Sequence, residues 1–316
     1  MNILFVTSNR IGDAVLSTGL LGALIDRHPG ASITIACGPL PAPLFAAVPG
    51  VRRVISLAKR RYGLHWLSLW AATLGTRWDE IIDLRASTLA WFLYARQRRS
   101  LRTRDDDTHR VRELSARYGL AAPAAPRIWI THDHRAAAAR LIPDGGPVLG
   151  VGPTANWAGK IWPADRFNAL IARLTAPDGP LPGARVAVFG GPDERALAEP
   201  VLAAIDPIRR IDLVGAVDLL TAYACLARLA LYVGNDSALM HLAAASGVPT
   251  LGLFGPSRET VYGPWGENAA AVRTPETLEQ IVGASGYDRH QPVSHMTTLT
   301  VDAVEAAAAR LLAGPK

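Results

Sequence analysis

The stretch Val233-Gly234-Asn235-Asp236-Ser237-Ala238-Leu239-Met240-His241-Leu242-Ala243-Ala244-Ala245 decides how the chain is read. Its opening predicts a strand that ends at Gly234, Asp236 and Ser237 fall at helix-cap positions, and the residues after them predict a helix. His241 follows Ser237 by one helical turn, so the two share a face. A helix start of this kind presents unsatisfied N–H groups, which suit a diphosphate, and His241 would reach phosphate oxygens or a sugar hydroxyl. The plainer alternative is a histidine packed for structural reasons.

The same strand, turn and helix recur along the whole chain. In the second half, strands are expected at 148–152, 185–190, 211–213, 231–234 and 250–254, with helices near 164–174, 193–204, 219–229, 238–246 and 301–312. In the first half, strands are expected at 3–7, 32–36, 53–55, 80–84 and 100–102, and a helix at 13–27 stops before His28-Pro29-Gly30. Such alternation predicts parallel sheets with helices on both faces.

Residues 121–146 change in composition: Ala121-Ala122-Pro123-Ala124-Ala125-Pro126, a short strand at 127–130, an alanine-rich helix, then Pro143-Asp144-Gly145-Gly146-Pro147. This seam divides the 316 residues into an expected first domain, 1–146, and second domain, 147–316, in line with usual domain sizes. The last helix is free to pack back on the first domain. Two doubly wound domains facing each other would form a cleft at the carboxyl ends of their strands.

Hydrophobic residues make up 49% of the chain and charged ones 19%, which excludes a disordered segment. Cys37 and Cys225 are too few for a disulfide framework, sit in apolar runs and fit a reducing cytoplasm. The opening MNILFVTSNR reads as a first strand rather than a signal peptide, and no apolar run reaches the ~18 residues of a membrane span, so any membrane contact is expected to be peripheral.

The net charge of +6 is unevenly spread: through residue 146 there are 20 Lys and Arg against 11 Asp and Glu, and from 147 onward 13 against 16. The basic half suits an anionic partner, with clusters at Arg52 and Arg53, at Lys59, Arg60 and Arg61, and from Arg96 to Arg104. Nucleic acid is not expected, because no recognised binding module accompanies the charge. Residues 65–75 carry Trp66, Leu67, Leu69, Trp70 and Leu74, which can pack in a core or on a domain surface, bind a sugar or touch lipid.

Four further turns carry polar groups. In Ser8-Asn9-Arg10-Ile11-Gly12-Asp13, the carboxylate is either a helix cap or a base placed at a strand's carboxyl end. Gly152-Pro153-Thr154-Ala155-Asn156-Trp157-Ala158-Gly159-Lys160-Ile161-Trp162-Pro163 brings a hydroxyl and one lysine to a helix start, as an oxyanion site does, although its spacing is not that of a Walker loop. Gly190-Gly191-Pro192-Asp193-Glu194 offers a carboxylate to a ribose diol, or a helix cap at Asp193. Gly252-Leu253-Phe254-Gly255-Pro256-Ser257 places a tight turn at the same sheet edge. No Cys and His set has zinc spacing.

In this order, these stretches resemble the ADP-heptose:lipopolysaccharide heptosyltransferases, glycosyltransferase family 9. The resemblance spans nearly the whole chain. It implies a GT-B fold, a nucleotide-sugar donor, ADP-heptose, held by the second domain, and an anionic glycolipid acceptor held by the first. It also implies a cytoplasmic, metal-independent, inverting transfer at the inner face of the membrane.

By that resemblance Asp13 is the general base and Lys160 neutralises the departing diphosphate. Thr154, Glu194, Asp236, Ser237, Ala238 and His241 hold the donor, and Arg60 and Arg61 are assigned to the acceptor. The family commonly has glycine where Ala238 stands, which bears on the identity of the donor sugar. Related possibilities are a protein acceptor, another nucleotide sugar, or a binding regulator without turnover. A Rossmann oxidoreductase is disfavoured, because Asn9-Arg10-Ile11-Gly12 is not a G-x-G-x-x-G turn.

Overall fold

A computed structural model describes residues 1–59, 61–101 and 105–314, in two compact units, Met1–Thr131 and His132–Lys316. The first unit runs β1 (Asn2–Val6), α1 (Ile11–Arg27), β2 (Ser32–Cys37), β3 (Val51–Ser56), α2 (Leu64–Thr73), β4 (Trp78–Asp83), β5 (Ala95–Ser100) and α3 (Arg110–Tyr118). Its five strands are all parallel, in the order β3-β2-β1-β4-β5. The order reverses between β1 and β4, so the loops after these two strands open a crevice at the carboxyl edge, where open α/β sheets bind ligands.

The second unit runs α4 (His132–Leu141), β6 (Val148–Gly152), α5 (Ala164–Leu174), β7 (Arg185–Gly190), α6 (Arg195–Leu202), β8 (Arg210–Val214) and α7 (Leu219–Leu226). It continues with β9 (Leu231–Asn235), α8 (Ala238–Ser246), β10 (Thr250–Phe254), α9 (Glu259–Tyr262), β11 (Ala269–Arg273), α10 (Leu278–Val282) and α11 (Val301–Leu312). The six parallel strands lie in the order β11-β10-β9-β6-β7-β8, with the reversal between β6 and β9. Both sheets are buried on two faces, which explains why their central strands, such as Val148–Gly152 and Thr250–Phe254, are buried at every position.

The division falls before α4, not at 146/147 as the seam suggests. The alanine-rich helix packs on α7 of the second unit, and Arg228 ties the loop after it by donating to Ile142 O at 2.6 Å. The last helix packs on α5 and on β9 to β11 of its own unit.

The segment expected as a strand at 127–130 has no sheet partner among the described residues. It crosses α1 instead: Arg127 N donates to Thr18 Oγ1 at 3.0 Å, and a Cβ on Gly19 would stand 2.0 Å from Ala124 O. The amide that a neighbouring strand would satisfy is thus taken by a helix hydroxyl. The strand expected at 100–102 lies earlier, at β5, and Arg102 is outside the described residues. This edge strand reads Ala-Arg-Gln-Arg-Arg-Ser, a charged composition that protects an unpaired edge and hides the strand from a hydrophobicity reading.

The two cysteines are buried, and burial pushes their thiols up, Cys37 to about 12 and Cys225 to about 11. They act as small apolar side chains. No helix among the described residues is long and apolar enough to cross a membrane.

Candidate functional site

The second unit collects most of the polar residues singled out above at the reversal point of its sheet. Gly152 ends β6 and Gly234 lies in β9, and both are glycine because the Tyr232 side chain fills the space over them. A Cβ at Gly152 would stand 2.0 Å from the Tyr232 hydroxyl, and one at Gly234 2.5 Å. Tyr232 is fully buried, and burial holds its hydroxyl well above the ordinary phenol range.

From Gly152 the chain runs through Thr154 to Lys160, and this loop is pinned at its far end. Trp162 is fully buried, meets the Phe167 ring edge-on at 4.9 Å and donates its indole N–H to Leu299 O at 2.9 Å. Its backbone N–H donates to Asn235 Oδ1 at 3.1 Å, which fastens the loop to the end of β9. The Lys160 ammonium then forms a close ion pair with Asp236, the first residue after β9, whose carboxylate is 7% exposed as a residue. A buried carboxylate beside an ammonium is satisfied in the absence of ligand, and the pair also fixes where the ammonium points.

The helix that follows starts at Ala238, with Ser237 as its N-cap. Ser237 makes no side-chain cap bond to its own helix, and among the described residues its buried hydroxyl has no partner at hydrogen-bonding geometry. It lies by the Tyr232 hydroxyl and partly offsets the upward push on that group. An N-cap not spent on its own helix, at a helix start beside an ammonium, is an anion-binding arrangement. Ala238 has no positive φ, so its methyl group introduces no backbone strain at the helix start. His241 is buried one turn into α8.

Thr154 and Glu194 also meet: the Thr154 hydroxyl donates to Glu194 Oε2 at 2.7 Å, and Gly191 N donates to the same oxygen at 2.7 Å. Glu194, rather than Asp193, therefore closes the turn before α6. Thr154, Lys160, Glu194, Asp236, Ser237 and Ala238 all lie on the loops and helix starts that follow β6, β7 and β9. The turn after β10, at the same sheet edge, carries Ser257, whose hydroxyl is likewise buried without a partner among the described residues.

In the first unit, Asp13 lies in the first turn of α1 rather than at its cap, which is Arg10. The Ser8 hydroxyl donates to Asp13 Oδ2 at 3.3 Å, and Arg10 N donates to Ser8 Oγ at 3.1 Å, so the loop after β1 presents the carboxylate. Across the crevice, the loop after β4 supplies Arg85. Its guanidinium stands 4.6 Å over the Trp66 ring and donates to Asn9 Oδ1 at 3.0 Å.

Asp83 organises that loop by accepting from Arg85 N at 2.9 Å, Ser87 N at 2.8 Å and the Ser87 hydroxyl at 2.6 Å. Burial nevertheless raises the Asp83 pKa, with these bonds opposing it, and burial lowers that of Arg85. Between Arg85 and Ser87, Ala86 holds a left-handed φ of 49°, a strained value for a residue with a Cβ.

Arg61 is exposed, with its guanidinium 4.7 Å over the Tyr62 ring, and Arg60 lies outside the described residues. Tyr232 and Arg85 escaped the sequence reading, and Asn235 and Trp162 stood in its motifs without a role. Arg85 had a signal, since it directly follows a predicted strand, whereas nothing local announces that a tyrosine fills the space over two glycines. Among the described residues, no group of three or more His, Cys, Asp and Glu is placed to hold a metal ion.

The family profile of glycosyltransferase family 9 (heptosyltransferase) matches residues 75–283. The chain belongs to glycosyltransferase family 9. It is a glycosyltransferase, and its two Rossmann-like units are those of a GT-B protein. A lipooligosaccharide heptosyltransferase 2 of Haemophilus influenzae is 24% identical over 311 residues, covering 86% of this chain and 88% of that one.

Among solved structures, ADP-heptose lipopolysaccharide heptosyltransferase II of E. coli superposes with a TM-score of 0.76 at 21% identity, covering 99% of each chain. A family 9 glycosyltransferase of Veillonella parvula gives 0.80 at 21% identity, covering 99% of this chain and 97% of that one. The family match includes Lys160, Glu194, Asp236 and His241 and leaves out Asp13.

Proposed function

We propose that this glycosyltransferase moves a heptose from ADP-heptose to an acceptor hydroxyl of the lipopolysaccharide core, with inversion at the anomeric carbon. The observation that carries the reading is the Lys160–Asp236 pair set beside the uncapped start of α8, at the reversal point of the second sheet. The names of the relatives support the donor and the acceptor class.

In this reading the acceptor hydroxyl attacks the anomeric carbon while the Asp13 carboxylate takes its proton. The bond from that carbon to the diphosphate oxygen breaks, and ADP leaves with the electron pair. Negative charge grows on the diphosphate as the bond breaks, so the Lys160 ammonium, the Ser237 hydroxyl and the first amides of α8 act most strongly in the transition state. Asp236 aims Lys160, and with His241 contacts the heptose or phosphate. Thr154 and Glu194 serve the nucleoside end. Arg61, with Arg60, serves acidic groups of the acceptor in a cytoplasmic enzyme working at the inner membrane face.

The experiment is to incubate the protein with ADP-heptose and a core acceptor lacking heptose and to read the product mass. A gain of one heptose unit with release of ADP is expected. Transfer only from another nucleotide sugar, or only to a protein, would replace this reading with one of its relatives, and donor binding without any transfer would make the chain a regulator.

A further inference from the structure

The first unit carries an apolar surface that the transfer chemistry does not use. Of the fourteen large hydrophobic side chains exposed on the described residues, seven fall between Tyr62 and Tyr94, including every exposed aromatic. Scattered exposed apolar residues need no explanation, but a contiguous group marks an interaction surface.

Helix α2, Leu-His-Trp-Leu-Ser-Leu-Trp-Ala-Ala-Thr, contains no charged residue. His65, Leu69 and Thr73 form its buried side, and Leu64 and Leu67, with Leu74 just beyond its end, are exposed on the other. A surface helix normally carries charge on that outer face. Beside it, the turn before β5 alternates sharply: Leu89, Ala90 and Leu93 are buried, whereas Trp91 is 70% and Phe92 69% exposed. The Trp70 indole donates to Phe92 O at 3.1 Å, which joins the two pieces into one surface.

The exposure is built rather than incidental. Arg98 holds the turn by donating to Ala90 O at 2.8 Å, Leu93 O at 2.6 Å and Ala95 O at 3.0 Å. Cations flank the aromatics: Arg61 stands over Tyr62 at 4.7 Å and Arg77 over Tyr94 at 5.7 Å. Between residues 51 and 99 there are ten Lys and Arg and three Asp and Glu.

Exposed Trp, Phe and Leu ringed by cations is the composition of a surface that enters the headgroup region of an anionic bilayer. A second copy of the chain fits poorly, because a two-fold contact would set the same positive ring against itself. We infer that the surface of Leu64, Leu67, Trp91 and Phe92 docks this enzyme on an anionic lipid bilayer. The inference rests on the reading of a glycolipid acceptor, whose lipid would keep the sugar at that surface.

The test is co-sedimentation with vesicles containing no glycolipid and no donor, so its outcome is independent of transfer. Vesicles of phosphatidylcholine alone are compared with vesicles in which about a third of the lipid is phosphatidylglycerol. Wild-type protein is expected to sediment with the anionic vesicles and not the neutral ones, and to be released by raising salt to about 0.5 M.

The Trp91→Ser/Phe92→Ser variant should lose about tenfold or more of its vesicle affinity, and Arg77→Glu about fivefold or more. An unchanged thermal midpoint and unchanged transfer to a lipid-free acceptor would show that the double variant is folded. No binding by wild type, equal binding to both vesicles, or undiminished binding by the double variant would overturn the inference. So would self-association abolished by the double variant in a protein that ignores vesicles.

Discussion

The carboxyl edges of the two sheets share one plan and are finished differently. In the second unit the edge is closed by buried groups that fix one another: Trp162 anchors the loop, Asn235 bonds it to β9, Asp236 holds Lys160, and Tyr232 fills the space over two glycines. In the first unit the groups that face the crevice are only half-buried: Asp13 accepts from the Ser8 hydroxyl at 3.3 Å, and Arg85 rests on an aromatic face and an amide oxygen. The difference fits the chemistry each edge is given. A leaving diphosphate is served by charges fixed beforehand, because reorganising them during the reaction would consume the gain. A base, the role proposed for Asp13, must meet a hydroxyl on a larger, variable acceptor, which a half-buried carboxylate suits.

The comparison breaks most readily at Trp162. Removing a fully buried Trp that also donates to Leu299 should destabilise the second unit by about 3–5 kcal/mol, read as a lowered denaturation midpoint. A loss under about 1 kcal/mol would show that the edge is not anchored through this side chain.

Next comes Lys160→Ala, which should lower kcat by about 10²–10³-fold and, by leaving the buried Asp236 carboxylate without its ammonium, also lower the denaturation midpoint. If kcat stayed within a few-fold and only KM rose, the ammonium would be a binding group rather than a transition-state one.

A smaller effect tests the Tyr232 packing. Gly152→Ala should destabilise by about 1–3 kcal/mol through overlap with the Tyr232 hydroxyl, and Tyr232→Phe in the same chain should restore part of the loss. Additive effects of the two changes would dissolve the proposed contact.

The smallest effect belongs to the first edge. The pKa of Asp83 is raised above 3.8 by burial, so the fold favours its protonated form. Its contribution is fully present below the unfolded value and is lost as pH rises through the raised folded value. The stability of wild type minus that of Asp83→Asn should therefore fall as pH rises from 3.8 upward, as followed by urea midpoints across pH. A difference that grew with pH would mean that the hydrogen bonds from Arg85 and Ser87 outweigh burial.

Much of this was legible in the sequence, because each strand-to-helix turn is written locally. Val233 to Ala245 gave strand, cap and helix, and the structure seats β9, Ser237 and α8 there. Lys160 and Asp236 were read separately, and their pairing required the sheet order that places β6 beside β9. What hydrophobic periodicity could not carry was polar or non-local: the arginine-rich edge strand β5, the segment 127–130 whose amide bonds Thr18, and the boundary before α4, fixed by packing on α7. Tyr232 looks like an ordinary strand residue until two glycines from different strands are seen beneath it.

The division of labour between the two edges is tested most directly by measuring ADP affinity and transfer rate together for Asp13→Asn. With the nucleotide held by the second unit and the proton taken by the first, ADP should bind within about twofold of wild type while transfer falls by about 10²–10⁴-fold. Unimpaired transfer, or loss of ADP binding with it, would contradict the assignment.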